Sequence, residues 1–253
     1  SRNDAVSAFE DLAPKNKGLW AYAGFMAFTG MIILSFYLIV IGRIFKYIFI
    51  SISALPTSVD DAGAMFGGMV TADVLTQFVF FNVAFFITIF IVTKGIKGGI
   101  EKVNLFLMPL LIIILLGLFF YATTLKGFPL ALDFLFLPDW TKVTDTTILQ
   151  AVGHAFFTLS LGMGTIMTYA ASLPKDSNIV KASASVAILD TAIALIAGMV
   201  IFSFMFNAGA EPAGGAGLVF ISLPPVFSEF GALGNIFAVA FFVALGFAGI
   251  TSA

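Results

Sequence analysis

The chain has 253 residues, of which 60% are hydrophobic and only 10% are charged, and its mean hydropathy is +1.08. Soluble domains carry about 25% charged residues, so this composition excludes a soluble globular protein and indicates an integral membrane protein. The net charge of −2 gives no indication of nucleic-acid binding. The absence of cysteine and the presence of a single histidine exclude disulfides, thiolate nucleophiles and multi-histidine metal sites.

Apolar runs long enough to cross a bilayer alternate with polar segments along the chain. They predict an all-α integral membrane protein with about six transmembrane helices in a single membrane domain over residues 1–253. In chain order, the predicted segments are a cytoplasmic loop at 1–17, a span at 18–50, an extracellular loop at 51–78 with a short surface helix near 70–78, spans at 79–99 and 102–123, an extracellular loop at 124–147, an interrupted span at 148–172, a span at 178–206, an extracellular hairpin loop at 207–230 and a span at 232–253. The orientation follows from basic residues, which favour the cytoplasmic side.

The residues at the two ends of the chain also lead to a prediction. Ser1 is not preceded by a methionine or a leader, and Ala253 lies inside an apolar run without a polar flank. We therefore expect the chain to be an internal piece of a longer protein.

Residues 150–169 combine lipid-compatible and polar side chains within one predicted span. Three hydroxyl side chains lie beside two glycines in its middle: Thr158, Ser160, Thr165, Gly162 and Gly164. Each glycine weakens a helix by roughly 1 kcal/mol, and backbone groups released inside a bilayer are tolerated where they line a cavity or bind a ligand. This pattern favours a site for a small polar solute or a cation. Close helix packing through small residues gives the same pattern, so this stretch alone leaves both interpretations open.

Asp190 is the single residue that most strongly indicates a functional site. It lies in the span at 178–206, about ten residues past Lys181 and hence roughly 15 Å deeper. A carboxylate at that depth is costly unless it meets a cation, and such residues are usually functional. The alternative is an acid near the helix end that reaches water.

Four other polar positions give weaker indications. Thr251 and Ser252 supply hydroxyl oxygens of the kind that suits Na⁺, although bonding back to their own helix is the commoner use of such a pair. Tyr37 is a phenol able to donate to a carboxylate, and His154 fits a water-lined vestibule. The sequence contains no nucleophile–base pair, phosphate loop or metal-ligand cluster, so we predict that the protein is not an enzyme.

Eight separate stretches together resemble the neurotransmitter:sodium symporter family, in its bacterial amino-acid-transporting branch. They occur in the family's order and cover nearly the whole chain: SRNDAVSAFEDLAP, IILSFYLIVIG, KGIKGGIEKVNLFLMP, FLFLPDW, AFFTLSLGMGTIMTY, LPKDSNIVKAS, GAEPAGGAGLVFISLP and FAGITSA. The resemblance implies part of an inverted-repeat transporter bundle, from the loop before transmembrane helix 3 into helix 8. Helix 6 of the family is its broken central helix, and here its unwound region falls at about Ser160–Gly164.

The resemblance also implies the site residues. Those that bind substrate would be Ile33, Tyr37, Phe157, Ser160, Met163, Ile166 and Ser252. Tyr37 would donate a hydrogen bond to the substrate carboxylate, and Phe157 would be an aromatic lid. Those that bind sodium would be Thr158 and Asp190 in a first site, and the Ala248 carbonyl with the Thr251 and Ser252 hydroxyls in a second.

The implied function is sodium-coupled symport of an amino acid by alternating access, in a multi-pass protein of the cell membrane, here the bacterial inner membrane. The adaptable Met163 side chain favours a hydrophobic or aromatic amino acid. The implied partners are the amino acid, sodium ions, the lipid bilayer and the missing helices of the same parent chain, with no organic cofactor and no nucleic acid. The alternatives are a non-transporting amino-acid receptor or sensor on the same scaffold, and a helical scaffold without a ligand.

Asp190, His154, Ser172 and Arg43 depart from the family pattern, and two of these positions bear on the argument. Asp190 stands where the family often has a neutral asparagine, and a carboxylate there brings its own negative charge. We therefore expect activity that does not depend on chloride. Arg43 replaces a common tryptophan in helix 3.

Overall fold

The computed structural model describes residues 5–171, 173–174, 176–211 and 214–253, and its secondary structure in this part of the chain is entirely helical. The predicted segments at 1–17, 148–172 and 207–230 therefore include positions outside the described residues, namely 1–4, 172 and 212–213. The chain divides into two compact units. The first unit comprises residues 1–35 and 139–194, and the second comprises residues 36–138 and 195–253.

Twelve α-helices follow one another in the described residues. Their bounds are α1 Ala5–Leu12, α2 Lys17–Ala21, α3 Ala27–Ser53, α4 Val59–Thr71, α5 Val74–Thr93, α6 Glu101–Ala122, α7 Phe128–Phe136, α8 Asp145–Thr158, α9 Thr165–Ala171, α10 Ile179–Asn207, α11 Leu223–Ser228 and α12 Ala232–Ser252. Short 3₁₀ segments lie at Tyr22–Met26 and Trp140–Lys142, and π-helical turns lie at Ile96–Ile100 and Leu218–Ser222.

Five helical segments within the described residues are long and apolar enough to cross a membrane. They are Lys17–Ser53, Val74–Thr93, Ile96–Ala122, Ile179–Asn207 and Ala232–Ser252. Helices α5 and α6 are apolar all around their circumference, which is the pattern of a helix surrounded by hydrocarbon or by other apolar helices. Where the sequence predicts a further, interrupted span, the structure has the shorter helices α8 and α9.

Two stretches interpreted as loops contain regular helices. The short helix expected near 70–78 is instead α4, at Val59–Thr71, and α5 already begins at Val74. The Ser58 hydroxyl caps α4 by accepting a hydrogen bond from the Asp61 N–H at 3.1 Å. Helix α7 lies within the stretch at 124–147. It begins beside Gly127, where a Cβ would overlap the Ser203 carbonyl oxygen and the Asn207 nitrogen of α10.

Tyr47 is at the centre of the apolar core of the second unit. Its side chain is fully buried, and its ring lies 4.9 Å from that of Phe220 and 5.1 Å from that of Phe242. The Tyr47 hydroxyl donates a hydrogen bond of 2.8 Å to the Phe220 carbonyl oxygen. The residues four and five positions after Phe220 are Pro224 and Pro225, which have no N–H to donate. The tyrosine therefore replaces a backbone donor that the chain cannot supply.

Replacing Tyr47 by phenylalanine is expected to lower the free energy of unfolding by about 1–3 kcal/mol, because it leaves the buried Phe220 carbonyl without its donor. The measurement is the thermal unfolding midpoint of the protein in detergent. Tyr121→Phe is the matched control, since the Tyr121 ring packs on Phe237 at 4.3 Å while its hydroxyl bonds to none of the described residues. Equal midpoints for the two variants would contradict this role of Tyr47.

Candidate functional site: an interrupted helix and a polar helix end

The first unit contains a helix that stops and restarts inside an apolar stretch. Helix α8 begins with a reciprocal cap, in which the Thr147 N–H donates to the Thr144 hydroxyl and the Thr144 N–H donates to the Thr147 hydroxyl. It ends at Thr158, and α9 begins only at Thr165. The sequence predicts an unwound stretch around the same residues.

The end of α8 is a Schellman motif. The Leu161 N–H donates to the Phe156 carbonyl at 2.8 Å, and the Ser160 N–H donates to the Phe157 carbonyl at 3.1 Å. Ser160 adopts φ 53°, the left-handed conformation usually taken by glycine at this position. A residue with a Cβ pays about 1–2 kcal/mol there. The chain thus leaves the helix at Ser160 although the side chain disfavours it.

Gly162 and Gly164 also have a non-helical backbone, with φ 80° and φ 77°. Helix α9 then resumes, and the Gly164 carbonyl accepts the Thr168 N–H at 3.2 Å. Within the described residues, the carbonyls of 159–163 accept no backbone hydrogen bond. Such oxygens in an apolar stretch need a donor or a cation.

The Thr158 hydroxyl lies at the last residue of α8, directly before this stretch. It donates to the Ala155 carbonyl at 3.3 Å, so its oxygen lone pairs stay available. Free carbonyls and a hydroxyl form an oxygen-only donor set, which suits hard cations such as Na⁺.

Ala27 and Gly30 of α3 lie against the interruption, and the sequence analysis did not single them out. A Cβ placed on Gly164 would lie 3.6 Å from Ala27, and a Cβ placed on Gly30 would lie 3.9 Å from the Met163 carbonyl oxygen. The signal available in the sequence was the spacing of two small residues three apart, which share one helix face. Ile33 lies one turn further along α3 and is partly buried.

Asp190 lies in the first unit, eleven residues after the start of α10 at Ile179. At 1.5 Å per residue this is roughly 17 Å along the helix. Asp190 is partly buried, whereas its neighbours Ile188 and Leu189 are exposed. Among the described residues the only ion pair is between Lys142 and Asp139, so Asp190 has no cationic partner in this part of the chain.

In the second unit, two of the predicted substrate residues meet. The side chains of Tyr37 on α3 and Ser252 on α12 lie close enough to interact. Directly before Ser252 on α12, the Thr251 hydroxyl lies 2.9 Å from the Phe247 carbonyl oxygen and 3.1 Å from that of Ala248. Close packing keeps α12 against α3, because a Cβ on Gly249 would lie 3.0 Å from the Ile41 side chain.

The predicted site residues thus fall into two sets, one in each unit. The first unit holds Ile33, Phe157, Thr158, Ser160, Met163, Ile166 and Asp190, and the second holds Tyr37, Ala248, Thr251 and Ser252. Phe157 and Ile166 are exposed, at 56% and 46%. The described residues contain no group of three or more His, Asp or Glu side chains able to hold a metal ion, so a cation site there needs carbonyl or hydroxyl oxygens beside any carboxylate.

Comparison with known proteins identifies the family. The family model of the sodium:neurotransmitter symporter family matches residues 59–253. The uncharacterized sodium-dependent transporter YhdH of Bacillus subtilis is 34% identical over 259 residues, which cover 100% of this chain and 56% of that protein. The sodium-dependent nutrient amino acid transporter 1 of Drosophila melanogaster is 31% identical over 180 residues, which cover 67% of this chain and 28% of that protein.

A solved structure has the same fold. The crystal structure of MhsT in complex with L-phenylalanine matches with a TM-score of 0.86 at 43% identity, over 99% of this chain and 57% of that chain. The predicted fold class, an all-α bundle of a multi-pass membrane protein, is confirmed. The chain spans less than three fifths of the length of YhdH and of MhsT. Because the family model covers most of its residues, the chain belongs to the sodium:neurotransmitter symporter family.

Proposed function

We propose that the protein takes part in sodium-coupled symport of a hydrophobic or aromatic amino acid by alternating access. The observation that carries this proposal is the interruption between α8 and α9, where free carbonyls and the Thr158 hydroxyl lie together in an apolar stretch. Family membership supports it independently. The receptor and scaffold alternatives have no observation in their favour, and they enter only as outcomes of the tests.

In this proposal, Thr158 and Asp190 bind one sodium ion and the end of α12 binds a second. Asp190 supplies the full negative charge, and Thr158 supplies a neutral oxygen. In the second site the Ala248 carbonyl and the Thr251 and Ser252 hydroxyls are the ligands. Sodium favours the state in which these oxygens converge, and a ligand shifts such an equilibrium only by its difference in affinity for the two states.

The substrate is proposed to bind beside the interrupted helix. Ser160 and Met163 lie in the interruption itself, Phe157 precedes it and Ile166 follows it. Their apolar atoms suit a large hydrophobic side chain, and the flexible Met163 adapts to its shape. The phenylalanine bound to the related MhsT supports the same substrate class.

The direct test is binding of labelled phenylalanine, tryptophan and leucine to the full-length protein in a scintillation-proximity assay, with sodium replaced by potassium in the control. The proposal predicts saturable binding that requires sodium and is lost in Thr158→Ala. Binding that is equal in sodium and potassium would remove the symport proposal in favour of a receptor. Absence of binding of any amino acid would favour the scaffold alternative.

Tyr37→Phe is expected to weaken amino-acid binding by about 10- to 100-fold, because a hydrogen bond to a charged carboxylate contributes about 1.5–3 kcal/mol. The dissociation constant is measured in saturating sodium. Tyr169→Phe is the matched control, since Tyr169 is 47% exposed on α9 and belongs to no predicted site. An unchanged affinity in Tyr37→Phe would place the substrate carboxylate elsewhere.

Replacing chloride by gluconate is expected to leave sodium-dependent binding unchanged, because the Asp190 carboxylate supplies the negative charge that an anion would otherwise contribute. The measurement is the affinity for amino acid in sodium chloride and in sodium gluconate. Binding that collapses in gluconate and returns with chloride would contradict this role of Asp190.

A further inference from the structure

Two basic side chains of α3, Arg43 and Lys46, lie against the first turn of α5 and belong to no part of the proposed transport site. One Arg43 terminal nitrogen donates to the Gln77 side-chain oxygen at 3.3 Å. The Arg43 Nε is buried and has no acceptor among the described residues. An arginine has five N–H donors, and a buried donor without an acceptor costs about 1–3 kcal/mol.

Each of the two cations has an aromatic ring as a neighbour. The Arg43 guanidinium lies 5.6 Å from the centre of the Phe66 ring, and the Lys46 ammonium lies 5.8 Å from that of the Phe80 ring. Neither cation has a carboxylate within ion-pair distance in the described part of the chain. Such rings hold a cation in place without neutralising its charge.

Asp73 interacts electrostatically with Lys46. Its carboxylate caps α5 by accepting the Thr76 N–H at 3.1 Å. The Thr76 side chain and then this N–H lower the pKa of Asp73, so that it stays ionised. Two positive charges and one negative charge leave a net charge of about +1 at this place. That charge matches a single phosphodiester group.

The depth of the two cations follows from the length of α5. This helix has 20 residues, which span about 30 Å and therefore match the hydrocarbon thickness of a bilayer. Its first turn marks one boundary of the hydrocarbon, and Gln77 on that turn contacts Arg43. Lipid phosphates lie just outside this boundary, within reach of the two long basic side chains.

A small cavity lies between these groups. Its volume is about 10 Å³, and its lining residues include Arg43, Lys46, Met69, Thr76, Gln77 and Phe80. That is room for about one water-sized atom. A single phosphate oxygen fits it, while the remainder of a head group would stay outside.

We propose that Arg43 and Lys46 form a binding site for the phosphodiester of an anionic phospholipid, between α3 and the first turn of α5. One phosphate oxygen enters the cavity and accepts the unpaired Arg43 Nε–H. Lys46 adds its charge from the side, and its aromatic neighbour holds it there. Basic pockets between transmembrane helices recognise anionic head groups on the cytoplasmic side of a membrane, and the same pairing of charges applies at the end of α3, which the predicted orientation places on the outer side.

The test measures lipid retention by the full-length protein in native mass spectrometry, with phosphatidylglycerol and phosphatidylcholine as probes. Both lipids carry a phosphodiester, but only phosphatidylglycerol has a net negative charge. We expect preferential retention of phosphatidylglycerol by the wild type. Because one basic residue contributes about a fivefold change near the membrane surface, the Arg43→Gln/Lys46→Gln double variant is expected to lose about 25-fold. Equal retention by wild type and double variant, or no preference for phosphatidylglycerol, would overturn the proposal.

Two further variants separate loss of the site from loss of the fold. Arg43→Lys keeps the charge and is expected to retain phosphatidylglycerol within about threefold. Lys94→Gln is the matched control, because Lys94 lies 4.1 Å from the Phe90 ring at the opposite end of α5. It is expected to leave the tight phosphatidylglycerol adduct unchanged, and a loss as large as that of the double variant would overturn the assignment to Arg43 and Lys46.

Inorganic phosphate distinguishes a lipid from a free anion. We expect phosphatidylglycerol, but not inorganic phosphate, to raise the thermal midpoint of the wild type. If inorganic phosphate protects equally and this protection requires Arg43, the site binds a free anion and the lipid assignment is wrong.

Discussion

Asp190→Ala is expected to raise the sodium concentration needed for half-maximal amino-acid binding by at least about a hundredfold. A unit negative charge about 4 Å from a cation contributes about 4 kcal/mol at an effective dielectric constant of 20, and the described residues contain no cluster of three or more His, Asp or Glu side chains that could replace it. The measurement is a sodium titration of labelled amino-acid binding to the full-length protein.

Two variants make this result specific. Asp190→Asn keeps an oxygen ligand but removes the charge, so it should fall between wild type and Asp190→Ala. Asp145→Asn makes the same chemical change at an exposed position in the first turn of α8 and should leave the titration unchanged. If Asp190→Ala alters only the thermal midpoint and not the sodium dependence, Asp190 is a packing residue and the first sodium site is misplaced.

Alanine at Gly162 or Gly164 is expected to reduce amino-acid affinity by about tenfold or more. Both residues have φ near +80°, where a Cβ costs about 1–2 kcal/mol. The chain can avoid this cost only by changing the backbone of the interruption, which moves its free carbonyls. The measurement combines the dissociation constant in saturating sodium with the thermal midpoint.

Gly153→Ala is the internal control for this prediction. Gly153 lies within α8, and a Cβ there would meet no atom within 4 Å. Alanine is better than glycine inside a helix by about 0.5–1 kcal/mol, so this variant should be as stable as the wild type or more stable. Wild-type affinity in both Gly162→Ala and Gly164→Ala would show that binding does not depend on the unwound backbone.

The interruption was predictable from the sequence because its cause is local. Gly162 and Gly164 tolerate positive φ, and the nearby hydroxyls are unusual inside an apolar stretch. The Schellman motif was harder to predict from the sequence, because Ser160 adopts a left-handed conformation that its own side chain disfavours. That conformation depends on bonds from Ser160 and Leu161 back to α8, and composition alone does not reveal them.

Helix α4 shows where local signals were misleading. Gly63, Gly67 and Gly68 oppose a helix by propensity, and the sequence analysis accordingly expected a loop there. Packing overrides this preference, since Phe66 of α4 stacks on Phe220 at 5.4 Å. The cap at Ser58 was nevertheless readable, because a serine followed three residues later by an acid is typical of a helix start.

Contacts between distant segments were beyond sequence reasoning. Tyr47 and Phe220 are 173 positions apart, and their hydrogen bond follows from the two prolines only once the fold is known. Gly30 and Met163 likewise meet through the fold. In the sequence, Arg43 was recognisable only as a departure from the family pattern. Its contact with Gln77 of α5 is apparent only in the folded structure.

Uptake into proteoliposomes tests the central claim most directly. The full-length protein is reconstituted, and accumulation of labelled phenylalanine, tryptophan or leucine is followed with an inward sodium gradient or with potassium on both sides. Sodium-coupled symport predicts accumulation above the external concentration, only with the gradient, and its collapse when a sodium ionophore is added. Sodium-dependent binding without accumulation would contradict the account and indicate a receptor on the same scaffold.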